Sequence, residues 1–133
     1  MLGLRHLYSG KVRDLYEVDE HHMLMVASDR LSAFDVVMNE TIPHKGRVLT
    51  ALTDYWLTLL PDVPRALISC DPTVIATYVP GFLAADEWHG RTMLVRRAEM
   101  LPLECIVRAR LAGQAFDEYQ VSGTVHGMSA PAG

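Results

Sequence analysis

The sequence contains little cysteine. Of its 133 residues, only Cys70 and Cys105 carry thiols, and they lie far apart without the CxxC spacing of metal or redox motifs. This excludes a disulfide framework and gives no sign of a structural zinc site. Free thiols are typical of proteins in a reducing compartment, so we expect a cytoplasmic protein.

Basic residues and long apolar runs are also scarce. The 12 Lys and Arg residues are outnumbered by 16 Asp and Glu residues, which gives a formal net charge of -4. A broad nucleic-acid-binding face needs many cations against the phosphates, so we expect no nucleic-acid partner. No apolar run approaches the roughly 20 residues of a membrane span. The N-terminus also lacks an apolar signal region, so we expect no membrane interaction.

The composition that remains is that of a globular protein, with 50% apolar and 21% charged residues. Such a chain can bury a core. The apolar pattern predicts a β-hairpin from strands at 11–18 and 23–27, with Gly10 and Lys11 at its entrance. Apolar residues at helical spacing predict an amphipathic helix over 46–60, which Pro61 ends. Further expected elements are a short strand within 65–79, a loop at 81–91, strands at 91–98 and 104–111, and a short helix at 116–121; none is expected after 123.

Two polar blocks early in the chain could bind a ligand. In SGK at 9–11, Gly10 allows close backbone approach to a phosphate and Lys11 supplies a positive charge. The Walker pattern is absent, so a solvent-exposed lysine after a turn is the alternative. In SDRLSAFD at 28–35, two carboxylates, an arginine and a hydroxyl follow a buried strand, which suits a polar ligand. The alternative is a solvated loop in which Asp29 caps a turn.

Basic residues at the start of the predicted helix leave two interpretations open. Lys45 and Arg47 oppose the preference of a helix N-terminus for negative charge. They either help to hold an anion there or are ordinary surface cations.

The block MLPLECIVRARLAG at 100–113 places Arg108 among apolar neighbours on a predicted strand. An unpaired arginine is costly to bury there, and its planar fork suits a carboxylate or phosphate. The alternatives are an arginine whose charged end reaches solvent and a purely structural pair with Glu104. The six histidines show no HxxxH or Cys/His spacing, so we expect no metal site built from this chain's own side chains.

Taken in order, these blocks resemble the SAICAR synthetase family, also called phosphoribosylaminoimidazole-succinocarboxamide synthases. The blocks that carry the resemblance are YSGKVRDLY (8–16), SDRLSAFD (28–35), IPHKGRVL (42–49), MLPLECIVRARLAG (100–113) and SGTVHG with PAG (122–133). They cover nearly the whole chain from Tyr8, and the P-x-E-x-[IV]-V-R pattern at 102–108 is highly specific.

The resemblance implies an α+β fold with two lobes and ATP in the cleft between them. It implies a small, mostly antiparallel nucleotide-binding lobe with a packed helix at 1–99, and a hinge with the start of a second lobe at 100–133. The implied reaction is an ATP-dependent ligation of L-aspartate to the carboxylate of a carboxyaminoimidazole ribonucleotide in purine synthesis, with Mg²⁺ required. Phosphoryl transfer would activate the carboxylate for attack by the aspartate amine.

The resemblance also implies roles for individual residues. Gly10, Lys11 and Arg13 match the hairpin that covers the phosphates of ATP, and Met100 matches the position at the adenine. The residues that match the imidazole-nucleotide site are Asp29, Ser32, Asp35 and Arg108. Lys11 and Arg108 would be catalytic, Lys11 by offsetting triphosphate charge and Arg108 by facing the reacting carboxylate.

Two departures from the family pattern keep alternatives open. Gln114 stands after Gly113 where the family usually has serine, and the family's later D-x-K-x-E-[FI]-G block is absent from the sequence. From that absence we expect the chain alone to be inactive, and uncovered apolar residues within 100–121 could make it self-associate. The alternatives are a non-catalytic nucleotide- or partner-binding module derived from the ligase, and a relative that joins a different carboxylate and amine.

Overall fold

The computed structural model describes residues 2–34, 36–103, 105–107 and 109–131. The backbone divides into two compact units, Met1–Glu99 and Met100–Gly133. The chain mixes helices with antiparallel sheet, so the predicted α+β class is confirmed. In the part of the chain described here, no helix combines the length and the apolar character needed to cross a bilayer.

The first unit is built on a five-stranded antiparallel sheet. Its five strands are β1 (Arg5–Ser9), β2 (Arg13–Glu17), β3 (His22–Ala27), β6 (Leu67–Ser69) and β7 (Thr92–Arg96). Their spatial order is β1-β2-β3-β7-β6, so β1 and β6 form the edges.

The predicted hairpin is confirmed as the pair β2 and β3. Its turn forms because Asp19 Oδ1 accepts the backbone N–H groups of His21 and His22, at 2.7 and 2.8 Å. The sequence did not reveal β1, which pairs with β2 through an irregular register between His6 and Tyr8. Every residue of β1 except Leu7 is exposed, so the apolar signal of a strand is weak there.

The core lies between the sheet and a short second helix, α2 (Pro72–Tyr78). Asp71 caps that helix by accepting Thr73 N–H at 2.7 Å, and Pro72 occupies its first position. The sequence pattern predicts only a strand in 65–79; β6 confirms that strand, and α2 is an additional element. The predicted loop at 81–91 contains two single 3₁₀ turns, Phe82–Ala84 and Asp86–Trp88. The buried cluster consists of Leu24, Ile75, Val79, Phe82 and Leu94.

The predicted amphipathic helix is confirmed as α1 (Lys45–Leu59), but the expected buried face is wrong. The small residues Gly46 and Thr50 face inward, because they let the helix lie close to the sheet. The larger apolar residues of the predicted stripe are mostly exposed: Val48, Leu52, Trp56, Leu59 and Leu60.

A two-stranded ribbon of β4 (Arg30–Ala33) and β5 (Val36–Thr41) stands where the sequence suggested a ligand site or a solvated loop. All of β5 is exposed. Strand periodicity is hard to detect in such a ribbon, because burial does not select alternating apolar residues.

The second unit contains little regular structure before its helix. Over the described residues of 104–111 there is no strand, so the strand predicted there is wrong for that part. The predicted short helix is confirmed as α3 (Gln114–Ser122). A small hairpin, β8 (Thr124–Val125) and β9 (Met128–Ser129), follows it, contrary to the expectation that no element comes after 123.

Candidate functional site

The turn between β1 and β2 carries the glycine and lysine of the first polar block. Gly10 N–H donates to Arg13 O at 2.7 Å, which closes the turn. A Cβ added to Gly10 would lie 3.3 Å from Arg13 O and 3.3 Å from the ring of Tyr8. The turn therefore favours glycine, while Lys11 and Arg13 are both exposed.

Arg30 joins this turn to the second polar block. Its Nη2 donates to Gly10 O at 3.1 Å and its Nε donates to Lys11 O at 3.2 Å. Its two Nη atoms also donate to the carboxylate of Asp14, at 3.1 and 2.8 Å. Ser28 adds a further link, since its Oγ and its N–H both donate to Val12 O.

The Asp14 carboxylate is held in its charged form. Burial would raise the pKa of Asp14, but hydrogen bonds from Arg30 and Ser9 and the charge of Arg30 lower it below its ordinary value. The side chain of Asp14 is 18% exposed and that of Arg30 is 33% exposed. The pair is thus a partly buried, two-pronged ion pair directly below the glycine turn.

Asp29 holds the start of α1. Its Oδ1 accepts Gly46 N–H at 2.9 Å and its Oδ2 accepts His44 N–H at 3.2 Å. Arg91 Nη2 donates to the same Oδ2 at 3.1 Å. The hydrogen bond from Gly46 is the main reason that the pKa of Asp29 lies below its ordinary value, since the helix N-terminus favours the carboxylate.

The approach of α1 to the sheet at this point is close. A Cβ on Gly46 would lie 2.4 Å from Ala27 O, which no real side chain tolerates. His44, the residue before the helix, adopts a left-handed conformation with φ 66°. The block IPHKGRVL is thereby joined to the end of β3 through Asp29 and Gly46.

The structure brings three of the sequence blocks together and places the predicted site residues unevenly. Gly10 and Lys11 lie on the turn and Arg13 begins β2 directly after it, and Ser28 and Arg30 tie this turn to the block containing Asp29. Ser32 is a half-buried residue of β4, opposite Val37. Met100 belongs to the second unit, is 83% exposed and lies outside any helix or strand. Two predicted residues, Asp35 and Arg108, lie outside the described residues.

Sequence reasoning missed three residues of this network. Arg30 lies within the charged block at 28–35, so the composition of that block was a signal. Nothing in the sequence indicated that the Arg30 side chain would bind the carbonyls of Gly10 and Lys11. Asp14 stood within the first block without any distinguishing spacing. Arg91 gave no signal, because it lies 62 positions from Asp29 along the chain.

No cluster of three or more His, Cys, Asp or Glu side chains able to hold a metal ion occurs among the residues the structure describes. The carboxylates of the candidate site instead face guanidinium groups and backbone N–H groups. A divalent cation would therefore depend on ligands other than these, such as the phosphate oxygens of a bound nucleotide.

In the second unit, Glu118 organises the segment after α3. Its Oε1 accepts Thr124 Oγ1 at 2.7 Å and Gly127 N–H at 2.9 Å, and its Oε2 accepts His126 N–H at 2.9 Å. His126 and Gly127 have φ of 51° and 74°, the conformation of a two-residue hairpin turn. Gln114, which departs from the family pattern, is the exposed first residue of α3.

Comparisons with known proteins agree with one another. A family model described as SAICAR synthetase matches residues 6–131. The chain is 45% identical over 136 residues to the phosphoribosylaminoimidazole-succinocarboxamide synthase of Chromobacterium violaceum, covering 100% of this chain and 46% of that protein. It is 49% identical over 137 residues to the synthase of the same name from Syntrophotalea carbinolica, covering 98% of this chain and 44% of that protein.

A solved structure gives the same result. The SAICAR synthase of Saccharomyces cerevisiae, in complex with SAICAR, matches with a TM-score of 0.88 and 42% identity, covering 98% of this chain and 46% of that chain. The chain therefore spans somewhat less than half the length of these relatives.

Proposed function

The chain belongs to the SAICAR synthetase family, and from that premise we propose that it serves the ATP-dependent ligation of L-aspartate to carboxyaminoimidazole ribonucleotide. The products are SAICAR, ADP and phosphate, on the pathway of purine synthesis. The relatives are about twice as long as this chain. We therefore propose that the residues of this chain contribute part of the active site for this reaction.

The observation that carries the proposal is the β1–β2 turn. It presents the exposed cations Lys11 and Arg13 on either side of Val12, and Arg30 neutralises the carboxylate of Asp14 on the adjoining strand β2. The turn therefore concentrates positive charge at one exposed place, which fits a polyphosphate. Gly10 keeps the turn narrow, so a phosphate can approach the backbone.

ATP, when bound, supplies the phosphoryl group that activates the carboxylate, and Mg²⁺ accompanies its phosphates. Lys11 and Arg13 hold the phosphates and offset their charge, with Lys11 as the catalytic cation. Met100, exposed in the second unit, contacts the adenine. Under this proposal Met1–Glu99 is the nucleotide-binding lobe and Met100–Gly133 begins the second lobe.

The nucleotide substrate is assigned to Asp29, Ser32, Asp35 and Arg108. The hydrogen bonds of Asp29 refine this assignment, because both of its oxygens already hold the start of α1 and Arg91. Asp29 therefore acts by orienting the segment that follows β3, and Ser32 on that segment offers a hydroxyl to the substrate. Arg108 faces the reacting carboxylate and orients it for transfer.

Titration of the chain with ATP and Mg²⁺ tests the proposal by isothermal calorimetry. We expect saturable binding that weakens roughly tenfold or more in Lys11→Ala, since a hydrogen bond to a charged group is lost. The matched control is Arg5→Ala, which removes an exposed cation of β1 that pairs with Glu17 at 3.2 Å. Absence of binding at millimolar ATP, or equal losses in both variants, would overturn the proposal.

A further inference from the structure

We infer that Arg30 is the positioning residue of the nucleotide turn: it fixes the conformation in which Gly10, Lys11 and Val12 meet the phosphates. The inference deepens the proposed function and rests on it. The Arg30 side chain points at the turn from the neighbouring ribbon and need not contact the nucleotide itself.

The contacts of Arg30 are distributed in a way that an ordinary ion pair does not require. Two bonds to Asp14 would satisfy charge neutralisation, yet Nε and Nη2 also donate to the carbonyls of Lys11 and Gly10, at 3.2 and 3.1 Å. Four of the five guanidinium N–H bonds are thereby directed at one turn and its flanking strand. Only a planar fork can reach these acceptors together.

The direction of these bonds determines the polarity of the turn. A trans peptide is planar, so its C=O and its N–H point in opposite directions. Because Arg30 draws the carbonyls of Gly10 and Lys11 toward itself, the N–H groups of Lys11 and Val12 are directed to the opposite face. Arg30 therefore turns the negative ends of two peptide dipoles away from an approaching phosphate and the positive ends toward it.

Arg30 anchors a turn that lies at the edge of the sheet. β1 is an edge strand, so the turn has a neighbouring strand on one side only. Ser28 secures Val12, and the Gly10 N–H bond to Arg13 closes the turn internally. Arg30 in turn holds the carbonyls of Gly10 and Lys11.

The deciding variant is Arg30→Lys, which keeps a positive charge for Asp14 but cannot bridge the two carbonyls and the carboxylate. We expect a melting temperature close to that of the unmodified chain, together with faster hydrogen exchange at the Gly10 amide and unchanged exchange in β3. If the turn then adopts its binding conformation in about one molecule in ten, affinity for ATP with Mg²⁺ falls roughly tenfold. Arg5→Lys is the matched control and changes neither quantity.

Each outcome decides the inference. Faster exchange with weaker binding supports it. Unchanged exchange in Arg30→Lys overturns it, and so does faster exchange with unchanged affinity. If the unmodified chain binds no ATP, the proposed function fails, and exchange at Gly10 still decides whether Arg30 holds the turn.

Discussion

The Oδ1 atom of Asp29 accepts the backbone N–H of Gly46 at 2.9 Å, although 17 positions separate the two residues. The carboxylate at the end of β3 thereby satisfies the open N-terminus of α1 in place of a local cap, which His44 does not provide. The same carboxylate receives Arg91 from the start of β7. One side chain thus fixes the positions of two strands and a helix around the candidate site.

Replacement of Asp29 by alanine is expected to lower the free energy of unfolding by about 2–4 kcal/mol. The variant loses the cap of α1 and also leaves the Arg91 guanidinium without its carboxylate partner. The Nε of Arg91 is already buried without a hydrogen-bond partner among the described residues. Urea denaturation of Asp29→Ala and of the control Asp86→Ala measures this, since Asp86 is 95% exposed. Equal midpoints for the two variants would contradict the structural role.

Acid is expected to destabilise the first unit through the same carboxylates. The pKa of Asp29 is lowered from 3.8, mainly by the Gly46 hydrogen bond, and the pKa of Asp14 is lowered by Arg30 despite its burial. A depressed folded-state pKa gives stability that is present above the unfolded value and is lost as the pH falls through the folded value. Thermal melts from pH 6 down to about pH 2 check this. Asp29→Asn should show a shallower decline below about pH 4, and an unchanged slope would refute the assignment.

Gly46→Ala is expected to destabilise the protein by about 1–3 kcal/mol, because its Cβ would meet Ala27 O at 2.4 Å. Helix propensity alone predicts the reverse, a gain of about 1 kcal/mol from glycine to alanine. The control is Ala51→Gly at an exposed position of α1, which propensity predicts to cost about 1 kcal/mol. A stabilised Gly46→Ala protein would show that the helix does not approach the sheet this closely.

The two thiols are expected to differ in reactivity. Burial, reinforced by the negative charge of Asp54 and a hydrogen bond to it, raises the pKa of Cys70 to about 12, whereas Cys105 is exposed. Because the thiolate is the nucleophile, iodoacetamide near neutral pH should alkylate Cys105 alone, as peptide mass spectrometry would show. Asp54→Asn should leave Cys70 protected, since burial remains. Alkylation of both thiols before denaturant is added would contradict this picture.

Exposed apolar side chains are expected to make the chain self-associate. They lie on α1 as well as within 100–121, the range expected from the sequence. Met100, Leu101 and Val107 are exposed by 83%, 73% and 97%, and α1 adds Trp56 at 58%. Large exposed apolar side chains favour association. Light scattering over a concentration series would measure it, with Trp56→Lys separating the contribution of α1. A monomer at all concentrations, with no binding of a hydrophobic dye, would refute the expectation.

The sequence predicted those elements whose apolar residues are selected by burial. The hairpin of β2 and β3 and the strand β7 were visible because Leu24 and Leu94 lie in the core. The ribbon of β4 and β5 and the edge strand β1 were not, because little of either is buried. The inward face of α1 was misjudged since a helix can approach a sheet through Gly46 and Thr50, and no apolar pattern signals that choice.

The candidate site followed the same division. Gly10, Lys11 and Asp29 were predicted as site residues because they stand in compact polar blocks, and these assignments stay predictions. The partners that orient them, Arg30 and Arg91, become evident only when residues distant in sequence are brought together. Asp14 is similar, since its carboxylate acquires a role only through a guanidinium 16 positions away.

The irregular register of the edge strand β1 between His6 and Tyr8 affects how this strand can pair with other molecules. An unbroken edge strand offers a continuous row of N–H and C=O groups to a strand from another molecule. The irregularity interrupts that row, and the exposed Arg5, in its ion pair with Glu17, keeps a solvated charged group at the start of the strand. The strand that supports the glycine turn is therefore a poor template for amyloid-like growth.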